Sequence, residues 1–276
     1  MKQPLINFLN NIRWKNVVLY LLLQILLYFS LFKQDFQITD PWLFLVLSVL
    51  FFGLFGNIQN SIVDYELDSL KFNFVPFNKT VYLIWEIIFL ILGLLFGFIS
   101  LSFDFSSTQL YIIFSFPLLL SVYNYFLKKW PLLGNMLIAF LTVLGIMIPF
   151  VYAKNFSYEI PVFYFLLKMA FLLTLMRELV KDIEDIPYDK AMDFKTLPVL
   201  SLKISLGLLG FLSLLYFYLL FLYKTHLKTF PYVVLLVLGL FMLFFMIVFL
   251  RQRKYHYTSL LLKLVMFIGF LVVIFL

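Results

Sequence analysis

The chain contains no cysteine among its 276 residues, which excludes disulfides and thiolate metal sites and leaves no redox signature of a compartment. Charge is scarce: 13% of residues are Asp, Glu, Lys or Arg, against 64% hydrophobic and 21% aromatic, and the mean hydropathy is +1.04. A water-soluble domain of this length needs far more charge, so the composition is that of a polytopic membrane protein. The two histidines, His226 and His256, stand alone at span ends and read as interface residues. Acidic side chains are fewer than basic ones, 14 against 21. In a soluble protein that excess would suggest nucleic acid; in a membrane protein it records orientation, and no nucleic-acid partner is expected. No soluble domain, linker, low-complexity run or strict repeat interrupts the chain, so residues 1–276 read as a single transmembrane domain.

A spanning helix needs about 20 mostly apolar residues. Segments 14–32, 41–63, 80–102, 108–127, 131–153, 160–180, 200–223, 230–250 and 257–276 meet that requirement. The expected fold is therefore an all-α membrane protein of about nine transmembrane helices. The first segment follows a basic stretch, but it is too long for a signal peptide and no small-x-small cleavage site follows it. With the N-terminus on the cytoplasmic side, the inner segments carry 15 Lys and Arg and the outer loops 4, namely Lys33, Lys154, Lys224 and Lys228. That bias obeys the positive-inside rule. The expectation is a multi-pass protein of a bacterial inner membrane, and the bias places its N-terminus and polar motifs on the cytoplasmic side.

What little acid there is lies in two places. Residues 64–68 hold three acidic side chains and residues 178–193 hold six, together nine of the 14. In GNIQNSIVDYELDSL, the residues Asn57, Asn60, Asp64 and Asp68 are spaced to share one face of a helix. Glu178, Asp182 and Asp185 likewise share a face. Pro187 disfavours helix at Ile186, which predicts Asp189 just past the helix end, folded back toward the same place. A carboxylate at the bilayer centre costs roughly 2.5–3.5 kcal/mol, and five facing lipid would cost more than ~10 kcal/mol. These groups must face water, a cavity or cations. Like charges four residues apart also repel, unless a divalent ion neutralises them. Mg²⁺ prefers oxygen ligands and is commonly held by one or two carboxylates plus substrate phosphates. Two such stripes, recurring at the ends of the second and sixth spans, would clamp a diphosphate through Mg²⁺ and neutralise it as a leaving group. The plainer alternative, solvated residues at headgroup level, accounts for any one Asp but poorly for two in-phase stripes on the same side.

The first stripe resembles the N-D-x-x-D-x-x-x-D motif of the UbiA superfamily of intramembrane prenyltransferases. The second, DIEDIPYDKAMDFKTLPV, resembles that family's D-x-x-D-x-x-x-D motif followed by a basic residue and Thr-Leu-Pro. NIRWKN resembles the R-x-x-N entry to its first helix, and YNYFLKKWPLLGN its loop after the fourth. Four motifs in order cover nearly the whole chain. The resemblance implies nine helices around a central cavity and Mg²⁺-dependent transfer of a prenyl group from a prenyl diphosphate donor to a lipophilic acceptor in the membrane. It implies catalytic roles for Asn60, Asp64, Asp68, Asp182, Asp185 and Asp189, with the five aspartates as metal ligands. It implies diphosphate contacts from Asn57, Lys128, Lys129 and Lys195, with either Lys128 or Lys129 as the principal cation, and an acceptor role for Arg13 and Asn16.

The chain departs from the pattern at Ser61, where an Asp is frequent, at Tyr188, where a Gly is usual, and at VPFNK (75–79), which replaces Pro-x-Arg-Pro. The Asn-Lys form resembles bacterial members similar to geranylgeranylglyceryl phosphate geranylgeranyltransferases, which implies a glyceryl phosphate lipid as acceptor. A quinone or haem precursor is the alternative acceptor. Outside the enzyme class, a cation transporter would also use paired carboxylates, although usually near the membrane midplane. Gln24, Glu86 and Lys168 fall within spans and should face protein or water.

Overall fold

In a medium without water a backbone must satisfy its own polar groups, and a run of about 20 apolar residues does so as a helix. The computed structural model describes residues 2–32, 41–71, 75–103, 105–151 and 160–274, and among them there is helix and turn but no strand. Each of the nine predicted segments carries a helix. In chain order the helices are α1 (Lys2–Asn11), α2 (Trp14–Phe32), α3 (Pro41–Val63), α4 (Tyr65–Ser69), α5 (Lys79–Phe103), α6 (Ser107–Tyr125), α7 (Leu133–Ile146), α8 (Ile148–Val151), α9 (Ile160–Ala191), α10 (Leu197–Leu200), α11 (Leu202–Leu222), α12 (Thr229–Arg251) and α13 (Tyr255–Ile274). Five of them, α3, α5, α11, α12 and most of α13, are long and apolar enough to cross a membrane, so nine is an approximate count of spans. Lys33 and Lys154, placed in outer loops by the charge count, lie outside the described residues.

Contacts divide the chain into two compact units. The first comprises Met1–Leu127 and Leu144–Ala153. Its core is α3 packed on α5 and α6, built around Leu50, Leu54, Phe55, Ile58, Tyr82 and Phe89. The close approach of α3 and α5 depends on Gly93, because a Cβ there would sit 2.5 Å from the fully buried ring of Phe52. The Gly93 carbonyl accepts from Ser48 Oγ at 2.7 Å. Gln24 donates to the Gly145 carbonyl at 2.8 Å, so this mid-span amide joins helices. The second unit comprises Lys128–Val143 and Lys154–Leu276. Within it α9 packs on α11 and α13, and α12 on α13. Gly239 serves here as Gly93 does in the first unit, lying against the buried Tyr216.

Three local expectations are corrected. The fifth span is broken: α7 stops at Ile146 and the short α8 begins at Ile148, just before Pro149. The first acidic stripe is not on one unbroken helix, because α3 ends at Val63 and Asp64 is the cap of α4. The i to i−4 bonds from Asp64 N–H to Asn60 O (2.9 Å) and from Asp68 N–H to Asp64 O (2.7 Å) nevertheless carry the helical register across the break. The third correction is at Pro187, which does not end α9. The helix runs one turn past it to Ala191, so Asp189 is a helical residue. The true stop is a Schellman motif: Phe194 N–H donates to Asp189 O at 2.9 Å and Asp193 N–H to Lys190 O at 3.3 Å, with Asp193 in the left-handed region at φ 55°. A proline removes one backbone bond from a helix of 32 residues, whereas the left-handed residue turns the chain away.

Candidate active site

The first unit presents the first stripe at the α3–α4 junction. Asp64 is buried, and its Oδ2 accepts from Asn60 Nδ2 at 3.0 Å, so these two side chains lie on one side as their spacing predicts. Asp68, one turn on, is about a third exposed and pairs with Lys71 at 3.1 Å. Asn57 turns elsewhere: its amide donates to the Ile12 carbonyl at 3.0 Å. That bond pins the corner between α1 and α2, where Arg13 takes a left-handed φ of 53° and its carbonyl accepts from Asn16 N–H at 2.8 Å. Arg13 is exposed and Asn16 half-buried at this corner.

Ser61 is buried and its hydroxyl donates to the Asn57 carbonyl of its own helix at 3.1 Å. VPFNK has a structural use: Asn78 Oδ1 accepts from the Thr80 and Val81 amides, capping α5, while Lys79 Nζ lies 4.3 Å from the Tyr65 ring centre. Glu86 accepts from Gln59 Nε2 at 2.9 Å, and Asn124 donates to Gln59 Oε1 at 2.9 Å. This buried network sits behind α3 and holds the residue next to Asn60.

The second unit presents the second stripe, Asp182 to Asp189, on the last three turns of α9. Asp182 Oδ2 accepts from Asn135 Nδ2, at the start of α7, at 2.8 Å. Asp182 lies beyond the 160–180 segment, and its carboxyl is pushed up to about 7 by burial; the Asn135 bond opposes that rise, Glu178 and Asp189 add to it, and Lys181 opposes it. Asp189 is buried and accepts from Thr196 Oγ1 at 2.9 Å. Asp185 is half-buried between them in sequence. Glu178 is held instead by Arg177 and Lys181, at 2.9 and 2.6 Å.

The basic residues are gathered by backbone. Lys195 N–H donates to the Lys129 carbonyl at 3.1 Å, which brings the Lys128–Lys129 loop beside the exposed Lys195. Lys129 Nζ lies 5.2 Å from the Phe194 ring centre. The loop closes in a γ-turn, Leu133 N–H to Pro131 O at 2.7 Å, with Leu132 at φ 62°. A leucine in this region is strained, and the strain sits between the two lysines and Asn135.

Asn135 and Thr196, which bond the candidate carboxylates Asp182 and Asp189, were not singled out by the sequence. Both lay in motif segments, the Gly-Asn after the double lysine and the Thr of Thr-Leu-Pro, and that placement was the available signal. Among the described residues, no three His, Asp or Glu side chains converge as a ready-made metal cage. Two aspartates in the first stripe and three in the second offer the oxygen donors that Mg²⁺ takes, with phosphate and water completing its shell.

The chain is similar to known proteins in sequence and in fold. The model of the UbiA prenyltransferase family matches residues 21–271. The digeranylgeranylglyceryl phosphate synthase of Methanosphaera stadtmanae is 32% identical over 150 residues, 52% of each chain. That of Pyrococcus furiosus is 30% identical over 183 residues, 62% of each. The matched stretches thus span about half or a little more of these curated relatives. A solved structure of a digeranylgeranylglyceryl phosphate synthase in membranes aligns with a TM-score of 0.73 at 26% identity, covering 100% of this chain and 98% of the other. A UbiA homologue from Archaeoglobus fulgidus, solved bound to GPP and Mg²⁺, aligns with a TM-score of 0.65 at 17% identity, over 96% and 99% of the two chains, and shares the fold. The chain is an integral membrane protein that belongs to the UbiA prenyltransferase family.

Proposed function

We propose that this protein transfers a prenyl group from a prenyl diphosphate to a phosphate-bearing glycerol lipid of the geranylgeranylglyceryl phosphate type. The observation that carries the reading is the pair of prepared carboxylate stripes, Asn60–Asp64 and Asn135–Asp182, in a chain matched by the family over residues 21–271. The names of the relatives support the choice of acceptor. The whole chain acts as one catalytic domain, with its N-terminus and both stripes on the cytoplasmic side, as the distribution of Lys and Arg supports.

Asp64, Asp68, Asp182, Asp185 and Asp189 are the residues that would hold Mg²⁺, which when bound supplies positive charge to the leaving diphosphate. Asn60 orients Asp64, Asn135 orients Asp182 and Thr196 orients Asp189. Lys128, Lys129 and Lys195 add cationic contacts to the diphosphate, and Asn57 acts by fixing the corner that bears Arg13 and Asn16, the proposed acceptor contacts. The allylic C–O bond breaks with its electrons going to the diphosphate. The acceptor hydroxyl oxygen then bonds to the carbon, and its proton leaves with the diphosphate.

The test is diphosphate release by purified protein with Mg²⁺ and geranylgeranyl diphosphate, across geranylgeranylglyceryl phosphate, 4-hydroxybenzoate and dihydroxynaphthoate. Release with the glyceryl phosphate lipid alone is the expected result. Release only with an aromatic acceptor would overturn the assignment of acceptor and leave the reaction class standing.

A further inference from the structure

Lys168 is a charge in the wrong solvent. It sits on α9 within the 160–180 apolar segment, exposed, and the contacts of its ammonium are with a neutral side chain: the Tyr223 hydroxyl at 2.8 Å and the ring of the same Tyr223 at 5.1 Å. Among the described residues it pairs with no carboxylate. It stands at the rim of an open groove of about 400 Å³ within the second unit, whose other lining is apolar. Phe140 of α7, Leu172 and Leu175 of α9, and Leu212, Leu215 and Leu219 of α11 form its walls. From Lys168 to Asp182 is 14 residues of helix, roughly 21 Å along the axis at the standard rise. The charged end of the groove is therefore remote from the second acidic stripe, while its leucine end at Leu175 stops about two turns short of Asp182 on the same helix.

An ionisable side chain inside a membrane is costly and calls for a named partner. Here the missing charge is an anion, and the surface beside it accepts hydrocarbon. Both demands are met by one molecule. We propose that the groove between α7, α9 and α11 binds an anionic phospholipid of the surrounding membrane, with its phosphate on Lys168 and the Tyr223 hydroxyl and an acyl chain along the leucines. The lipid is a bound structural ligand, not a substrate. A lysine reaching the headgroup level by snorkelling alone would sit beside no such groove and would select no lipid.

The experiment is native mass spectrometry of the full chain in detergent, titrated with phosphatidylglycerol and with phosphatidylcholine of the same acyl chains. The wild type should bind phosphatidylglycerol about fivefold more than phosphatidylcholine, the factor expected of one lysine near an anionic headgroup. Lys168→Gln should erase that preference and Lys168→Arg should keep it. Lys224→Gln, a neutralisation near the same end of α11 outside the groove lining, should leave it unchanged. Leu215→Trp, which fills the groove, should reduce adducts of both lipids. A wild type without preference, a Lys168→Gln protein that retains it, or displacement of the lipid by equimolar inorganic phosphate would overturn the proposal. Activity in lipid-free detergent should be unchanged in Lys168→Gln, so this test succeeds or fails apart from the assigned reaction.

Discussion

At the residue scale, the proposed chemistry rests on carboxylates that neighbouring side chains hold in place. Thr196 and Asp189 are both buried, and their 2.9 Å bond ties the turn after α9 back onto its last helical residues. Thr196→Val keeps the shape and removes the donor. It should lower stability by about 1.5–3 kcal/mol, the range for a hydrogen bond to a charged group, read as a fall in the thermal unfolding midpoint. Asp182 gives a pH signature. Burial lifts its carboxyl to about 7, so below that pH a proton occupies the oxygen a metal would need. The Mg²⁺ concentration for half-maximal diphosphate release should rise by up to about tenfold per unit as pH falls below 7, and stay level above 8. Asn135→Leu removes a bond that favours the charged form and should move the onset to higher pH. The spacing of the aspartates marked them as candidates. The partners Asn135 and Thr196 had only their place in the motifs to mark them, because bonds spanning 47 residues and a chain reversal leave no periodicity in the sequence.

At the element scale, the long apolar helices were legible because lipid imposes one solution on an apolar run. What escaped was local. α1 has only ten residues, so no span-length signal announces it, yet Asn11 bonds the Tyr82 hydroxyl at 2.7 Å and Phe8 packs on the same ring. The end of α9 was misplaced because Pro187 is a familiar stop and no glycine marks position 193. Asp193 holds a left-handed φ of 55° that glycine adopts without strain. Asp193→Gly should therefore stabilise the protein by about 0.5–1 kcal/mol, and Asp193→Val should destabilise it, as measured by thermal unfolding in detergent. If Asp193→Gly instead lowered the midpoint, the carboxylate would have a role of its own.

At the scale of the whole molecule, the sequence order of four motifs carries the family, and the solved relatives carry the fold. Ser61, Tyr188 and VPFNK departed from the pattern, and two of the three have structural explanations: Ser61 bonds its own helix, and Asn78 caps α5. Tyr188 in place of glycine has none in the contacts described. The acceptor was legible only through the family resemblance of VPFNK, which pointed to a glyceryl phosphate lipid as the names of the relatives do, since an apolar pocket has no spacing rule by which a sequence announces it. We propose that the two stripes serve one reaction. Diphosphate release by the Asp64→Ala, Asp182→Ala double variant, inserted in membranes at wild-type level and supplied with Mg²⁺, geranylgeranyl diphosphate and the preferred acceptor, tests it most directly. The account predicts a loss of at least about 100-fold, on the scale of removing a group that stabilises developing charge. Release at a rate close to wild type would contradict it.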